Sequence, residues 1–235
     1  MSGVSMDAGL PLLLLGFLLG MKHALDADHI VAISTMATAQ RSLTRSCAIG
    51  VYWGLGHTAV LLVAGGVALG LRQAIPQHVA ALLEAGVGVM LIGLGVSVGW
   101  TLLRERMHLH PHTHDDGVGH LHVHSHRDGH DHRHVHRYRL EYKSLAVGMA
   151  HGLAGSAALL LLVLSTVQSF AEGLLYILVF GAGSIVGMAF LGAVVSLPYA
   201  VTPERFVRTH LALRVLAGLA SFSLGGRMLY EFLAM

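Results

Sequence analysis

Six long apolar stretches constrain the fold of this chain more than any other feature of its sequence. A helix needs about 20 predominantly apolar residues to cross the hydrocarbon core of a bilayer. Only 12% of the residues are charged and the mean hydropathy is +0.65, whereas a soluble domain is about 25% charged. One such stretch could be a buried core helix, but six together predict an all-α polytopic membrane protein with six transmembrane helices. The stretches cover residues 9–38, 48–70, 79–103, 144–168, 173–197 and 209–231.

The basic residues predict the orientation of the chain in the membrane. The first, third and fifth loops hold most of the Lys and Arg, and the opposite side has Arg72 and little else. Because basic loops are retained on the cytoplasmic side, we expect these three loops to be cytoplasmic and both termini to lie outside, in a bacterial inner membrane. The N-terminus lacks a basic n-region and a small-residue cleavage site, so we interpret it as part of the first span.

The two halves of the chain resemble each other. Residues 20–25 of the first span match residues 148–153 of the fourth, and residues 54–57 match residues 181–184, in nearly the same register. Each half has three spans, an odd number, so the second half must be inverted relative to the first. Inverted repeats are typical of secondary transporters, whose binding site lies near the bilayer midplane. The expected domains are a three-helix repeat over residues 1–103, a loop over residues 104–143 and a second three-helix repeat over residues 144–235.

A cluster of ionisable side chains interrupts the first span. It consists of Lys22, His23, Asp26, Asp28 and His29. A single Asp or Lys at mid-bilayer costs about 2.5–3.5 kcal/mol even on lenient scales, so a ligand has to offset this cost. Imidazole suits nickel, cobalt, copper and zinc, whereas carboxylate-only sites suit magnesium, calcium or manganese. The mixed cluster therefore predicts a site for a divalent transition metal; the alternative is a structural polar network between helices.

Helical geometry suggests roles within this cluster. In a regular helix, at about 100° per residue, His23, Asp26 and His29 fall within one arc of about 120° and could bind one ion. Asp28 lies off that face and would orient an imidazole; if the helix is broken here, Asp28 could bind the ion directly. Lys22 is expected to pair with Asp28 or another carboxylate when no ion is bound.

Two further histidines lie within apolar spans. His57 is in the second span and is expected to complete the coordination shell, although alone it would fit an interhelical hydrogen bond equally well. His151 is the counterpart of His23 in the second half, but it has no acidic neighbours. Metal ligand, pathway residue and structural donor are therefore three open interpretations of His151.

The loop between the third and fourth spans is rich in histidine at alternating positions. It contains nothing that could build a core, so we expect it to be disordered without metal. Neutral imidazoles at high local density bind zinc, nickel, cobalt or copper loosely, which predicts a cytoplasmic metal buffer; the alternative is a solvated linker. The histidines are His108, His110, His112, His114, His120, His122, His124, His126, His130, His132, His134 and His136.

Two segments resemble the signatures of the nickel/cobalt transporter family. The sequence HALDADHI at residues 23–30 resembles the family's His-x4-Asp-His motif, and YWGLGHT at residues 52–58 resembles its second signature on the following helix. The resemblance implies a nickel or cobalt permease in which His23, Asp28 and His29 select the metal. Longer members have more spans and an acidic motif in the second half, so this chain is more similar to the shorter, urease-accessory-type permease branch.

Together these features predict a secondary transporter for nickel or cobalt uptake, with zinc as a further cargo and no resident cofactor. The expected partners are the lipid bilayer, the ion and cytoplasmic nickel or cobalt metallochaperones. An exporter of the same metals is the main alternative; a membrane metalloenzyme and a metal-handling scaffold are two others. The sequence has no P-loop pattern, no nucleophile elbow and no His-Glu-x-x-His motif. A net charge of +2 without a basic stripe indicates no nucleic-acid partner, so neither an ATPase domain nor an enzyme is expected.

Overall fold

The described part of the chain consists of seven helices and one two-stranded sheet. A computed structural model describes residues 6–37, 42–73, 75–104, 108–113, 119–124, 138–154, 167, 169–201 and 207–235. The helices are α1 (Met6–His23), α2 (Ala27–Ala37), α3 (Leu43–Leu71), α4 (Gln77–Arg104), α5 (Tyr138–Ala154), α6 (Phe170–Val201) and α7 (Val207–Leu233). The strands are β1 (His108–Thr113) and β2 (Gly119–His124).

The first predicted span is divided between two helices. The α1 helix ends at His23 and α2 begins at Ala27, with a tight turn between them. Short Asp side chains offer the backbone an alternative to helical hydrogen bonds, and the Asp28 carboxylate accepts one from the His29 amide at 3.0 Å. An acidic side chain in the first turn also favours a new helix N-terminus. Of the two alternatives that the sequence left open for residues 23–29, a regular helix and a broken one, the structure shows the broken one.

Three helices match predicted spans in both length and composition. These are Leu43–Leu71, Gln77–Arg104 and Phe170–Pro198, and α1 contributes the shorter apolar segment Pro11–His23. The fourth predicted span begins in α5 and continues into residues outside the described part. The sixth is covered by α7, which is less apolar because it carries several arginines. The helical, membrane-compatible character of the chain is confirmed, whereas the count of six spans stays a prediction.

Large apolar side chains lie on the surface of the helices as well as in the core, and several histidines are buried. Val63, Val96 and Phe190, on α3, α4 and α6, are more than half exposed, whereas His29 and His57 are fully buried. A bilayer solvates apolar side chains, and intramembrane ionisable groups face the bundle interior. The exposed apolar surface of these helices therefore suits contact with lipid.

Helices from the two halves of the chain pack on each other. The main contacts of α1 are with α6, and the main contacts of α5 are with α3 and not with its neighbour in sequence. Phe17 meets Gly183 and Met21 meets Gly187, so α1 and α6 run parallel. The α3 and α6 helices are antiparallel: Gly54 of α3 contacts Ile185 of α6, whereas Thr58, further along α3, contacts Gly181, which is earlier in α6.

Glycine contacts recur with the same spacing in both halves. Each places a glycine so close to a carbonyl of the neighbouring helix that a methyl group would overlap it. Small residues allow this close approach between membrane helices. In the sequence repeat, residues of α1 correspond to residues of α5, and residues of α3 to residues of α6. The same correspondence turns each glycine contact of one half into a glycine contact of the other. The corresponding contacts are Gly20 with Phe180 and Gly148 with Trp53, and then Gly183 with Phe17 and Gly56 with Leu145.

The third helices of the two halves also pair through glycine. Gly88 of α4 lies against the backbone of Gly225 in α7, and Gly95 lies against Gly218. Because the partners run in opposite order along the chain, α4 and α7 are antiparallel. Ser221 adds a hydrogen bond from its hydroxyl to the Leu91 carbonyl at 2.8 Å.

Part of the histidine-rich loop forms a hairpin. The β1 and β2 strands pair in antiparallel register, so that His108 lies opposite His124, His110 opposite His122 and His112 opposite His120. The sequence expectation was a segment without regular structure. The hairpin differs from it because histidine alternates strictly with other residues, and alternate residues share one face of a strand.

We expect Gly148→Ala to destabilise the protein and Gly93→Ala to leave its stability unchanged or slightly raised. A methyl group at Gly148 would overlap the Trp53 carbonyl, whereas Gly93 has open space around it. Overpacking costs about 1–3 kcal/mol, and Gly→Ala in a helix gains up to about 1 kcal/mol. Thermal unfolding of the two purified variants in detergent measures the difference; equal melting temperatures would contradict the close helix contact.

Candidate metal site

The break between α1 and α2 brings histidines from three helices together. His23 ends α1, His29 lies in the first turn of α2, and His57 lies midway along α3. One ring nitrogen from each residue lies within 4.8 Å of the others. The ring centroids of His23 and His29 are 4.7 Å apart, and that of His57 is 5.1 Å from His23. This spacing allows the three imidazoles to converge on one ion with a small adjustment of their rings.

A second group shares one member with the first. Asp28, His29 and His151 offer ligand atoms that also lie within 4.8 Å of one another. The rings of His29 and His151 are 4.2 Å apart. His151 is supplied by α5, in the other half of the chain, so this group joins the two halves. The structure thus brings His151 into the cluster, although nothing acidic surrounds it in the sequence.

Asp28 orients two buried imidazoles. His29 Nδ1 donates to Asp28 Oδ1 at 3.2 Å, and His151 Nε2 donates to Asp28 Oδ2 at 2.6 Å. An ionised carboxylate only accepts hydrogen bonds, so the proton lies on the nitrogen that faces it. The opposite nitrogen of each ring then carries a lone pair. Histidines that bind metals are commonly held in the correct tautomer by a carboxylate in this way.

Several ring nitrogens are buried without a protein partner. His29 Nε2, both nitrogens of His57 and His151 Nδ1 have no hydrogen-bond partner within the part of the chain that the structure describes. Leaving a buried polar group unsatisfied costs about 1–3 kcal/mol. The unsatisfied nitrogens of His29, His57 and His151 sit together in one cluster. A bound cation would offset this cost, and neutral imidazole is a ligand that nickel, cobalt, copper and zinc accept.

Asp26 and Lys22 have more peripheral places than the sequence suggested. The Asp26 side chain is 52% exposed and accepts a hydrogen bond from His23 Nδ1 at 2.8 Å. Because the helix is broken before Asp26, it does not share one helix face with His23 and His29. Lys22 is exposed, and both oxygens of Asp28 are occupied by the two histidines. The expected pairing of Lys22 with Asp28 is therefore not observed among the described residues.

Two aromatic side chains line the cluster and were not identified as site residues from the sequence. The Trp53 ring lies 5.5 Å from the His151 ring, and the Phe180 ring lies 5.5 Å from the His23 ring. Trp53 is fully buried and Phe180 nearly so. Trp53 lies one turn before His57 in the second motif, and Phe180 is its counterpart in the second half, in the register that matches residues 54–57 with residues 181–184. The internal repeat was therefore the signal that could have identified both.

The loop histidines are only partly covered by the structure. The backbone of the six in β1 and β2 is described. The remaining six lie outside the described residues: His114, His126, His130, His132, His134 and His136.

Comparison with known proteins gives this cluster a family context. The chain matches the family model for the high-affinity nickel-transport protein, NicO, over residues 9–207. It is 39% identical to the urease accessory protein UreH of Bacillus sp. (strain TB-90) over 226 residues, which cover 94% of this chain and 92% of that protein. It is 24% identical to the chloroplast protein FOR GROWTH AND FERTILITY 1 of Arabidopsis thaliana over 183 residues, which cover 76% of this chain and 48% of that protein. No solved structure matches the chain.

The two carboxylates should differ in their effect on metal affinity. We expect Asp28→Asn to weaken nickel binding by about 10–100-fold, because Asp28 orients two buried imidazoles. Asp26→Asn should weaken it by less, because Asp26 is half exposed and contacts His23 alone. Competition with a chromophoric chelator on purified protein measures both affinities. Equal losses, or a larger loss for Asp26→Asn, would contradict the arrangement described here.

Proposed function

Because the chain belongs to the NicO family of high-affinity nickel-transport proteins, we propose that it is a secondary transporter that carries nickel or cobalt into the cytoplasm. The observation that supports this most is the buried cluster of His23, His29, His57, His151 and Asp28, to which four helices contribute. The family is a transporter family, so a membrane metalloenzyme is set aside. The cluster fits a bound cation in passage better than a structural network, because several of its nitrogens lack partners among the described residues.

We propose that the transporter consists of two inverted three-helix repeats around this cluster. The support is the recurrence of glycine contacts in the register of the sequence repeat, with Gly20 equivalent to Gly148 and Gly56 equivalent to Gly183. The α3 and α6 helices, which would be equivalent, run antiparallel, and so do α4 and α7. In this arrangement residues 1–103 and residues 144–235 are the repeats. Alternating movement of one against the other would open the cluster to each side of the membrane in turn.

The membrane potential can supply the driving force for uptake. Each positive charge that moves inward gains about 2.3 kcal/mol per 100 mV of inside-negative potential, and a divalent ion carries two. The carboxylate of Asp28 offsets part of the ion's charge within the bundle. No resident cofactor and no ATPase domain within this chain are needed for such a cycle. Nickel and cobalt are the proposed cargo, with zinc as a weaker one.

The proposed location is the inner membrane of a bacterium, with the histidine-rich loop in the cytoplasm and both termini outside. The basic residues of the loops support this orientation. Similarity to a urease accessory protein favours inward supply of nickel to cytoplasmic metallochaperones over export. Efflux of the same metals is the second candidate, because a cytoplasmic histidine-rich loop could also collect ions for export.

Flux measurements on reconstituted protein test the direction of transport and the site together. We expect radioactive nickel to accumulate in liposomes under an inside-negative potential. His29→Ala should lower the initial rate at least about tenfold, because it removes a metal ligand. His78→Ala is the matched control, since His78 is exposed at the start of α4. Nickel that leaves the liposomes and never accumulates would favour efflux, and equal rates for His29→Ala and wild type would contradict the site.

We propose that the loop is a cytoplasmic metal buffer that includes the hairpin. In the register of β1 and β2, three histidines of one strand lie directly opposite three of the other. Opposed residues of antiparallel strands lie on the same face, with Cβ atoms about 4.5–5.5 Å apart. In a regular pairing with this register, the six histidine positions belong to one face of the hairpin and the positions between them to the other. Such a face could hold ions loosely between cross-strand pairs.

Face-selective substitutions test the buffer. Replacing the histidines of β1 by Asn should reduce the number of nickel ions bound by the full chain without lowering the initial rate of flux. Replacing residues of the opposite face by Asn should leave the number of bound ions unchanged. Equilibrium dialysis measures bound nickel, and equal loss in both variants would contradict a metal-binding face. The first variant carries changes at His108, His110 and His112, and the second at Leu109, Leu121 and Val123.

A further inference from the structure

His29 is a member of both groups of ligands, and its ring lies between two other histidines. The His23 ring is 4.7 Å away and the His151 ring is 4.2 Å away. The first group, with His57, and the second group, with Asp28, each bring their ligand atoms within 4.8 Å. The close ligand atoms form two groups of three and not one group of five, so the cluster offers two overlapping positions that share His29.

The two outer histidines have equivalent surroundings. In the register of the sequence repeat, His151 is the counterpart of His23 and Phe180 is the counterpart of Trp53. Phe180 is 5.5 Å from His23, and Trp53 is 5.5 Å from His151. His23 and His151 therefore occupy matching places in the two halves of the chain, one at each end of the cluster, with His29 between them.

The two ends of the cluster differ in how far their histidines are buried, but each has a carboxylate that is partly exposed. At one end the His23 side chain is 15% exposed and accompanied by Asp26, which is 52% exposed. At the other end the His151 side chain is only 1% exposed, and its partner Asp28, which also bonds His29, is 26% exposed. His29 and His57 are fully buried. Each outer histidine thus has one carboxylate partner that reaches further towards the surface than the rings do.

We propose that the ion occupies the two positions in succession and passes between them around His29, with His23 and His151 as the metal ligands at opposite ends. This inference rests on the transport function proposed above. At each step the ion would exchange one ligand while it remains bound to His29. It would therefore not need to lose its whole coordination shell at once. Because His151 Nε2 donates to Asp28, His151 would bind the ion through Nδ1, which has no partner among the described residues, while Asp28 orients the ring.

Binding and flux, measured on the same set of full-length variants, test this proposal. We expect His23→Ala and His151→Ala each to retain cobalt binding above the background set by His29→Ala, which keeps the loop but lacks both positions. Their cobalt absorption spectra should differ from each other, because each retains a different position. Nickel flux should fall at least about tenfold in both. The variant that combines His23→Ala with His151→Ala should bind no cobalt above that background. Wild-type flux with an unchanged spectrum in His151→Ala would overturn the proposal.

A conservative variant separates a ligand from a hydrogen-bond donor. His151→Gln keeps an N–H group that can donate to Asp28, but its amide is a poor ligand for nickel and cobalt. If His151 binds the ion, flux stays as low in His151→Gln as in His151→Ala. Flux restored by Gln would reduce His151 to orienting Asp28 and would overturn the proposal. Absence of flux in the wild type would overturn the transport function itself, while the cobalt spectra would still decide whether two positions exist.

Discussion

One carboxylate ties the polar centre of this molecule together. Asp28 accepts hydrogen bonds from His29 and His151, and these two histidines come from different halves of the chain. Without Asp28 both rings would lose the partner that fixes their tautomer, in a setting where water cannot replace it. The tautomers in which the rings of His29 and His151 could present lone pairs to an ion therefore depend on this side chain.

The glycine contacts determine how close the ligands can come. Imidazoles on separate helices reach within a few ångströms of one another only if the backbones approach closely. Gly148 lies against the Trp53 carbonyl and Gly152 against that of His57, which sets α5 directly beside the face of α3 that carries His57. The hydroxyl of Ser184 donates to the Gly20 carbonyl at 3.2 Å and supports the matching contact of α1 with α6. The helix turns that carry the histidines of the cluster are therefore the same turns whose glycines allow the helices to approach closely.

The sequence was sufficient to predict that buried histidines come together in the bundle, because the cost of burying ionisable groups in lipid applies to any fold. His23, His29 and His57 were expected to converge and they do. For Asp28 the sequence left two roles open, orienting an imidazole in an unbroken helix or binding the ion at a break, and the hydrogen bonds to His29 and His151 support the orienting role even though the helix is broken. The place of Asp26 was not foreseen, because its assignment assumed an unbroken helix, and the turn after His23 depends on local competition for backbone hydrogen bonds.

His151 shows the other limit of reasoning from sequence. Its neighbours along the chain are apolar, so its acidic partner could not be found locally; Asp28 comes from a helix in the other half of the chain. The internal repeat did contain this information, since it relates His151 to His23. In the histidine-rich loop, composition suggested disorder, whereas the alternation of residues favours the strand pairing that the structure shows.

The exchange of packing partners between the halves has a consequence for how such a chain could have arisen. The first helix of each half packs on the second helix of the other, so one half alone would leave its glycine surfaces uncovered. If the halves are the inverted repeats proposed above, two separate copies would cover those surfaces by pairing in antiparallel orientation across the bilayer. An ancestral single-repeat protein would therefore have had to insert in both orientations in the same membrane, and fusion of two copies would have fixed one of each.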